Sequence, residues 1–239
     1  MFVKEYNEFC VWYNKRDKPF RTIKFIFNYK SSDHDKLFLD TMLQRWKELS
    51  EHVNKWAANS TTNRRSNDIL LINAVAWLIA ERMWIKTLND KWIKAVSTPF
   101  TEAKNQIDIE ILPNHSTIEV RSSFPRNWIS FAICHPKYQF DVLWPYSNNY
   151  KPWEIDKDFY VRTLFPFDVN EFLNRIKNDN FEAYVVWWAT LNMMRNIWVE
   201  KDLIPDWWII PAERAKYLTI PIWSALDVYW IINEMKKEN

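Results

Sequence analysis

The chain has 239 residues, 48% hydrophobic and 26% charged, which gives enough apolar mass for a packed core in one large domain or two small ones. Its net charge of +2 excludes a global polyanion-binding surface, so any basic surface is local. Two isolated cysteines, Cys10 and Cys134, exclude a disulfide framework, and no apolar run reaches the length of a membrane span. The charged opening MFVKEYNEF lacks a signal peptide's apolar core, so a cytoplasmic location is expected.

In chain order, RTIKFIFNY (21–29) has the apolar, aromatic bias of a strand, and Asp33 to Val53 carries apolar residues at helical spacing. The polar segment 54–67, NKWAANSTTNRRSN, reads as an exposed loop. Its Asn63, Arg64 and Arg65 are of the types that contact phosphates, although such loops are more often simply solvated. Asp68 to Met83 is a strongly apolar helix, capped by Asn67 or Asp68, with Glu81 near its expected C-terminal end. An acid there opposes the helix dipole unless a cation lies close by.

The stretch from Gln106 to Ser123, QIDIEILPNHSTIEVRSS, predicts a hairpin of two alternating strands around a turn at Pro113 to Ser116. Pairing across that turn sets Asp108 opposite Arg121 and Glu110 opposite Glu119, with the isoleucines and Val120 on the other face. Carboxylates placed directly opposite each other repel, and a bound cation relieves that repulsion. A half-solvated hairpin with its charges in water gives the same pattern.

Further strands are expected at 128–135, 138–144, 159–167, 183–191 and 216–222. Helices are expected at 168–179, capped by Asp168, and at 224–237, capped by Ser224, with a polar loop at 145–158 and a loop with two prolines at 202–215. The mixed order of strands and helices predicts an α/β (α+β) fold with a mixed central β-sheet flanked by helices. One domain over 1–239 is expected, without internal repeats.

There is no glycine, and there are 16 tryptophans. Glycine averages about 7% of a chain, so its absence is not chance. Trp92, Trp144, Trp153, Trp207 and Trp208 stand in turn-like contexts, and Trp187, Trp188 and Trp223 where strands run into turns or helices. We read most or all of these positions as glycine in the natural protein. Decoding of UGA as tryptophan in a gene that uses it for glycine would produce this pattern, as would deliberate replacement. The lack of any glycine from GGN codons weighs against the first route.

Several chemistries are excluded or weak. His34, His52, His115 and His135 show no zinc-ligand spacing, no lysine-hydroxyl pair follows a phosphate-binding loop, and no serine lies in a nucleophile elbow. Cys134 beside His135 sits in the apolar run FAIC, where a cysteine is usually a small buried hydrophobe.

What remains is the carboxylate set. A core helix carrying Glu81, then Asp108, then Glu119-Val120-Arg121 resembles the PD-(D/E)XK nuclease superfamily over residues 67–135. The resemblance implies a restriction-endonuclease-like core at 67–135, with 136–239 an α/β extension of the same domain. It implies a Mg2+ (or Mn2+) site in which Asp108 and Glu119 are ligands and catalytic, with Glu81 an accessory ligand. Arg121 stands where that family usually has lysine, and Gln106 adds a contact to substrate or water. An arginine stays protonated, so it can position a phosphate and stabilise charge but cannot act as a general base. The function implied is metal-dependent endonuclease action on double-stranded DNA, most concretely by a type II restriction enzyme acting as a homodimer and without a membrane partner. The alternatives are a catalytically inactive DNA-binding protein on the same fold and an α/β protein unrelated to nucleic acid.

Overall fold

The computed structural model describes residues 2–13, 16–50, 67–99, 106–124, 142–143, 155–178, 180–203, 215–220 and 224–238. Two long strands, β1 (Phe2–Tyr13) and β2 (Arg16–Asn28), form an antiparallel ribbon. Helices α1 (Asp33–Ser50) and α2 (Asn67–Asp90) follow, then three strands in succession: β3 (Ala95–Ser97), β4 (Ile109–Ile111) and β5 (Ser116–Ser123). After β6 (Val142–Leu143) come β7 (Phe159–Leu164), a short 3-10 turn (Val169–Glu171), α3 (Phe172–Asn178), β8 (Asn180–Thr190) and α4 (Leu191–Ile197). Strands β9 (Val199–Leu203) and β10 (Ala215–Ile220) and helix α5 (Val228–Glu238) complete the order.

Seven strands make one sheet in the order β1-β2-β8-β7-β5-β4-β3, and β6-β10-β9 make a second. Every described pairing is antiparallel except β5 with β7, so the main sheet is mixed, as expected. Central strand β7 is buried at all six positions, which its apolar-aromatic sequence FYVRTL permits. On one side, Val75, Ile79 and Met83 of α2 pack with Ile118, Val120 and Phe159, and Phe165 stacks 5.2 Å from Phe124. On the other side, Tyr160, Leu164, Val186, Met194 and Ile220 form a smaller cluster.

Local chemistry explains the helix ends. Asp168 accepts the Asn170 N–H at 2.8 Å and so caps the 3-10 turn that leads into α3, as expected. For α5 the cap is Asp227 and not Ser224: its Oδ1 accepts the N–H groups of both Tyr229 and Trp230 at 2.9 Å. Asp227 also receives Arg21 Nε at 2.9 Å, which ties the helix to β2. Helix α4 follows directly on the strand expected at 183–191, in a stretch to which the sequence pattern assigns no element. Thr190 starts it by accepting the Met193 N–H at 3.2 Å.

Helix α2 ends at a left-handed cap. Ile93 N–H donates to the Leu88 carbonyl at 3.0 Å and Trp92 N–H to the Asn89 carbonyl at 3.1 Å. Leu88 and Ile93 are both buried, completing the apolar contact that accompanies this cap. The residue between them in the left-handed region is Trp92, at φ 67°, with its side chain 95% exposed. Glycine is the residue this geometry selects, because it alone carries no Cβ to strain. The other tryptophans divide. Trp84 is wholly buried in the middle of α2, where it fills core volume as glycine cannot, whereas Trp144, Trp153, Trp207, Trp208 and Trp223 lie outside the described residues.

Candidate functional site

The hairpin forms, but two residues out of the expected register. Ile109 pairs with Ile118, Glu110 with Thr117 and Ile111 with Ser116, around a turn at 112–115. A shift by two keeps every side chain on its expected face while changing its partner. Extending that register one step sets Asp108 across from Glu119, not from Arg121, so the two acids are brought together. Strand β4 begins only at Ile109, and the Asp108 side chain occupies the edge position left beyond it, where Oδ2 accepts the Val120 N–H of β5 at 2.6 Å.

Asp108 is 4% exposed. Burial first, then the charge of Glu119, and further down that of Glu81, push its carboxyl well above the usual carboxylate range. The Val120 N–H and the Trp77 indole favour its charged form and only partly offset this. Glu81 lies nine residues before the end of α2, because the helix runs on to Asp90, so the expected conflict with the helix dipole does not arise. Its placement is costly for another reason: it is buried, which raises its pKa against the pull of Arg82, Ser97 and Arg45. Glu81 Oε2 has no hydrogen-bond partner among the described residues, and Arg82 Nε approaches it only to 3.9 Å.

Glu119 is held by two cations. Arg121 Nη2 lies 3.3 Å from Oε1, and Lys157 Nζ lies 3.9 Å from Oε2. Lys157 was not foreseen, since between Asp156 and Asp158 in a polar stretch it reads as a solvated residue. The parallel register of β5 and β7 also sets Arg162, 7% exposed, beside Arg121, at a point where the β7–β8 pairing slips between Val161 and Thr163. Such irregularities re-aim side chains and recur beside active sites. Nothing in the local sequence FYVRTL distinguishes Arg162 as a neighbour of Arg121.

The remaining expected residues fare differently. Gln106 Nε2 donates to the Ile107 carbonyl at 2.6 Å, which turns it toward its own backbone. Asn63, Arg64 and Arg65 lie outside the described residues, as do Cys134 and His135. Among the described residues no group of three or more His, Cys, Asp or Glu side chains stands ready to hold a metal ion. The donors nevertheless suit a hard divalent cation: they are carboxylate oxygens, the charges of Asp108 and Glu119 repel each other, and the buried Glu81 Oε2 has no hydrogen-bond partner among the described residues. Asp108 and Glu119 would hold such a cation, with Glu81 behind them.

No family model and no solved structure matches the chain. It is similar to an uncharacterised protein of Methanocaldococcus jannaschii, 27% identical over 230 residues that take in 80% of this chain and 79% of that protein. No helix among the described residues is long and apolar enough to cross a membrane.

Proposed function

We propose that the chain is a metal-dependent DNA endonuclease of the restriction-endonuclease-like class, acting in the cytoplasm on double-stranded DNA. The observation that carries this reading is the placement of the buried Asp108 carboxyl beside Glu119, whose charges repel and which a Mg2+ or Mn2+ ion would stabilise. When bound, such a cation supplies a polarised water and neutralises charge on the phosphodiester in the transition state. Asp108 and Glu119 bind it, and Glu81 adds negative potential from α2. Arg121 keeps its proton and positions the phosphate. A type II restriction enzyme acting as a homodimer is the most concrete form, with Asn63, Arg64 and Arg65 on the DNA backbone.

A second reading has its own support. The Asp108 Oδ2 bond to the Val120 N–H closes a sheet edge, a structural task that needs no cation. On that reading the protein binds DNA without cutting it, or has no nucleic-acid role. Digestion of mixed plasmid and genomic DNA with Mg2+ or with EDTA separates them, run beside Asp108→Asn, which keeps an oxygen for Val120. Cutting that needs both Mg2+ and Asp108 supports the nuclease, and discrete bands make it site-specific. Folded protein that retards DNA in a gel but leaves it intact favours the binding protein. Neither cutting nor retardation removes the nucleic-acid role.

A further inference from the structure

The two oxygens of Glu119 are divided between two cations, and the one on Oε2 comes from a distant part of the chain. The Lys157 side chain is wholly buried, and its one ammonium hydrogen bond among the described residues goes to the Ile155 carbonyl at 2.9 Å. A buried ammonium is unfavourable unless a carboxylate compensates it, and Glu119 is the carboxylate in place.

The backbone around Lys157 is fixed to β5 two residues before Glu119. Thr117 donates to Asp158 Oδ2 from both its N–H, at 2.7 Å, and its hydroxyl, at 2.8 Å, while Asp158 N–H donates back to Thr117 Oγ1 at 3.1 Å. Lys157 N–H donates to the Tyr160 hydroxyl at 2.9 Å, and Tyr160 pairs with Glu119 across the parallel strands. The backbone that carries Lys157 is therefore held at a set position beside β5, and its side chain is wholly buried.

We propose that Lys157 is an internal counter-cation, a positioning residue that holds Glu119 in place while no divalent ion is bound and competes with that ion for Oε2. This rests on the metal-site reading above. A divalent ion arriving at Glu119 meets a positive charge a few ångströms away that cannot retreat into water, so the pair raises the ion concentration at which the site fills. It also keeps the carboxylates assembled beforehand, against the repulsion between Asp108 and Glu119.

The test is binding of Mn2+ alone, followed by the electron paramagnetic resonance signal of the free ion, with folding checked by circular dichroism. Wild type is compared with Lys157→Met, Lys157→Arg and Asp108→Asn. Removing one charge at this range strengthens Mn2+ binding about tenfold in Lys157→Met, while Lys157→Arg, which keeps the charge, stays near wild type. A merely structural lysine would not produce that split. If Lys157→Met does not fold, Lys157→Gln, which can keep the bond to Ile155, carries the same expectation. Folded neutral variants that bind Mn2+ no tighter than wild type, when wild type binds through Asp108, overturn the counter-cation alone. If no variant binds Mn2+, the metal site itself is overturned with it.

Discussion

Replacing Trp92 by glycine should stabilise the protein, although it deletes the largest of side chains. At φ 67° an L-residue carries a Cβ clash costing about 1–2 kcal/mol, which glycine does not incur. The indole is 95% exposed, so little packing is lost with it. Against the gain stands the greater freedom of glycine in the unfolded chain, about 0.5–1 kcal/mol. The net is about 1 kcal/mol in favour of Trp92→Gly, and a chain of 239 residues converts that into a rise in Tm of about 2–4 °C. Thermal unfolding followed by circular dichroism reads it directly, with Trp92→Ala as the control that removes the indole but keeps the Cβ. The reasoning fails if alanine stabilises as much as glycine, or if glycine lowers Tm. Alanine gaining equally would mean that the benefit came from losing an exposed ring, not from relieving the backbone.

Other consequences follow from the same geometry. Because burial and its acidic neighbours raise the Asp108 pKa, the folded state keeps a proton that the unfolded chain releases. Stability therefore falls as pH climbs from the ordinary carboxylate range toward the folded pKa. Asp108→Asn should flatten that fall, so its Tm advantage over wild type should grow with pH; parallel curves would refute the burial argument. Asp227→Ala removes a cap and the Arg21 contact, at a cost of about 1–2 kcal/mol and about 2–8 °C in Tm. Since the Arg21 side chain is 44% exposed, its ion pair contributes little, and Asp227→Asn should recover most of the loss. Phe165→Ala, deep among the phenylalanine rings, should cost about 3–5 kcal/mol by urea unfolding. Reading the tryptophan codons tests the natural sequence: UGG throughout would refute recoding of UGA.

The sequence made the strand-rich frame and the acids legible, but not who faces whom. Alternation placed Ile109, Ile111, Ile118 and Val120 on the buried face, and that face is buried. Register is a weaker signal, because a slip of two leaves the alternation untouched and only the turn fixes it. That is why the sequence pattern sets Asp108 against Arg121 whereas the folded chain sets it toward Glu119. Ser224 and Asp227 are both good cap residues, and the local sequence does not choose between them; Asp227 caps because the helix starts at Val228, one residue after it. Lys157 had the strongest disguise: two flanking aspartates make a lysine look solvated, and only the parallel pairing of β5 with β7 shows otherwise.

That pairing also orders events in time. Thr117 and Asp158 are 41 residues apart, so when Glu119 leaves the ribosome the lysine that neutralises it has yet to be made. The segment 67–135 contains all three acids and, among its described residues, α2, β3, β4 and β5, and it ends before the Asp158 clasp and the Lys157 charge arrive. Strand β7, which brings them, needs β8 beside it and the cluster with Met194 and Ile220 behind it before both of its faces are covered. The acidic centre is thus complete in sequence by the middle of the chain yet framed only late, and a fragment cut before Lys157 would carry the three acids without the segment that packs against Glu119.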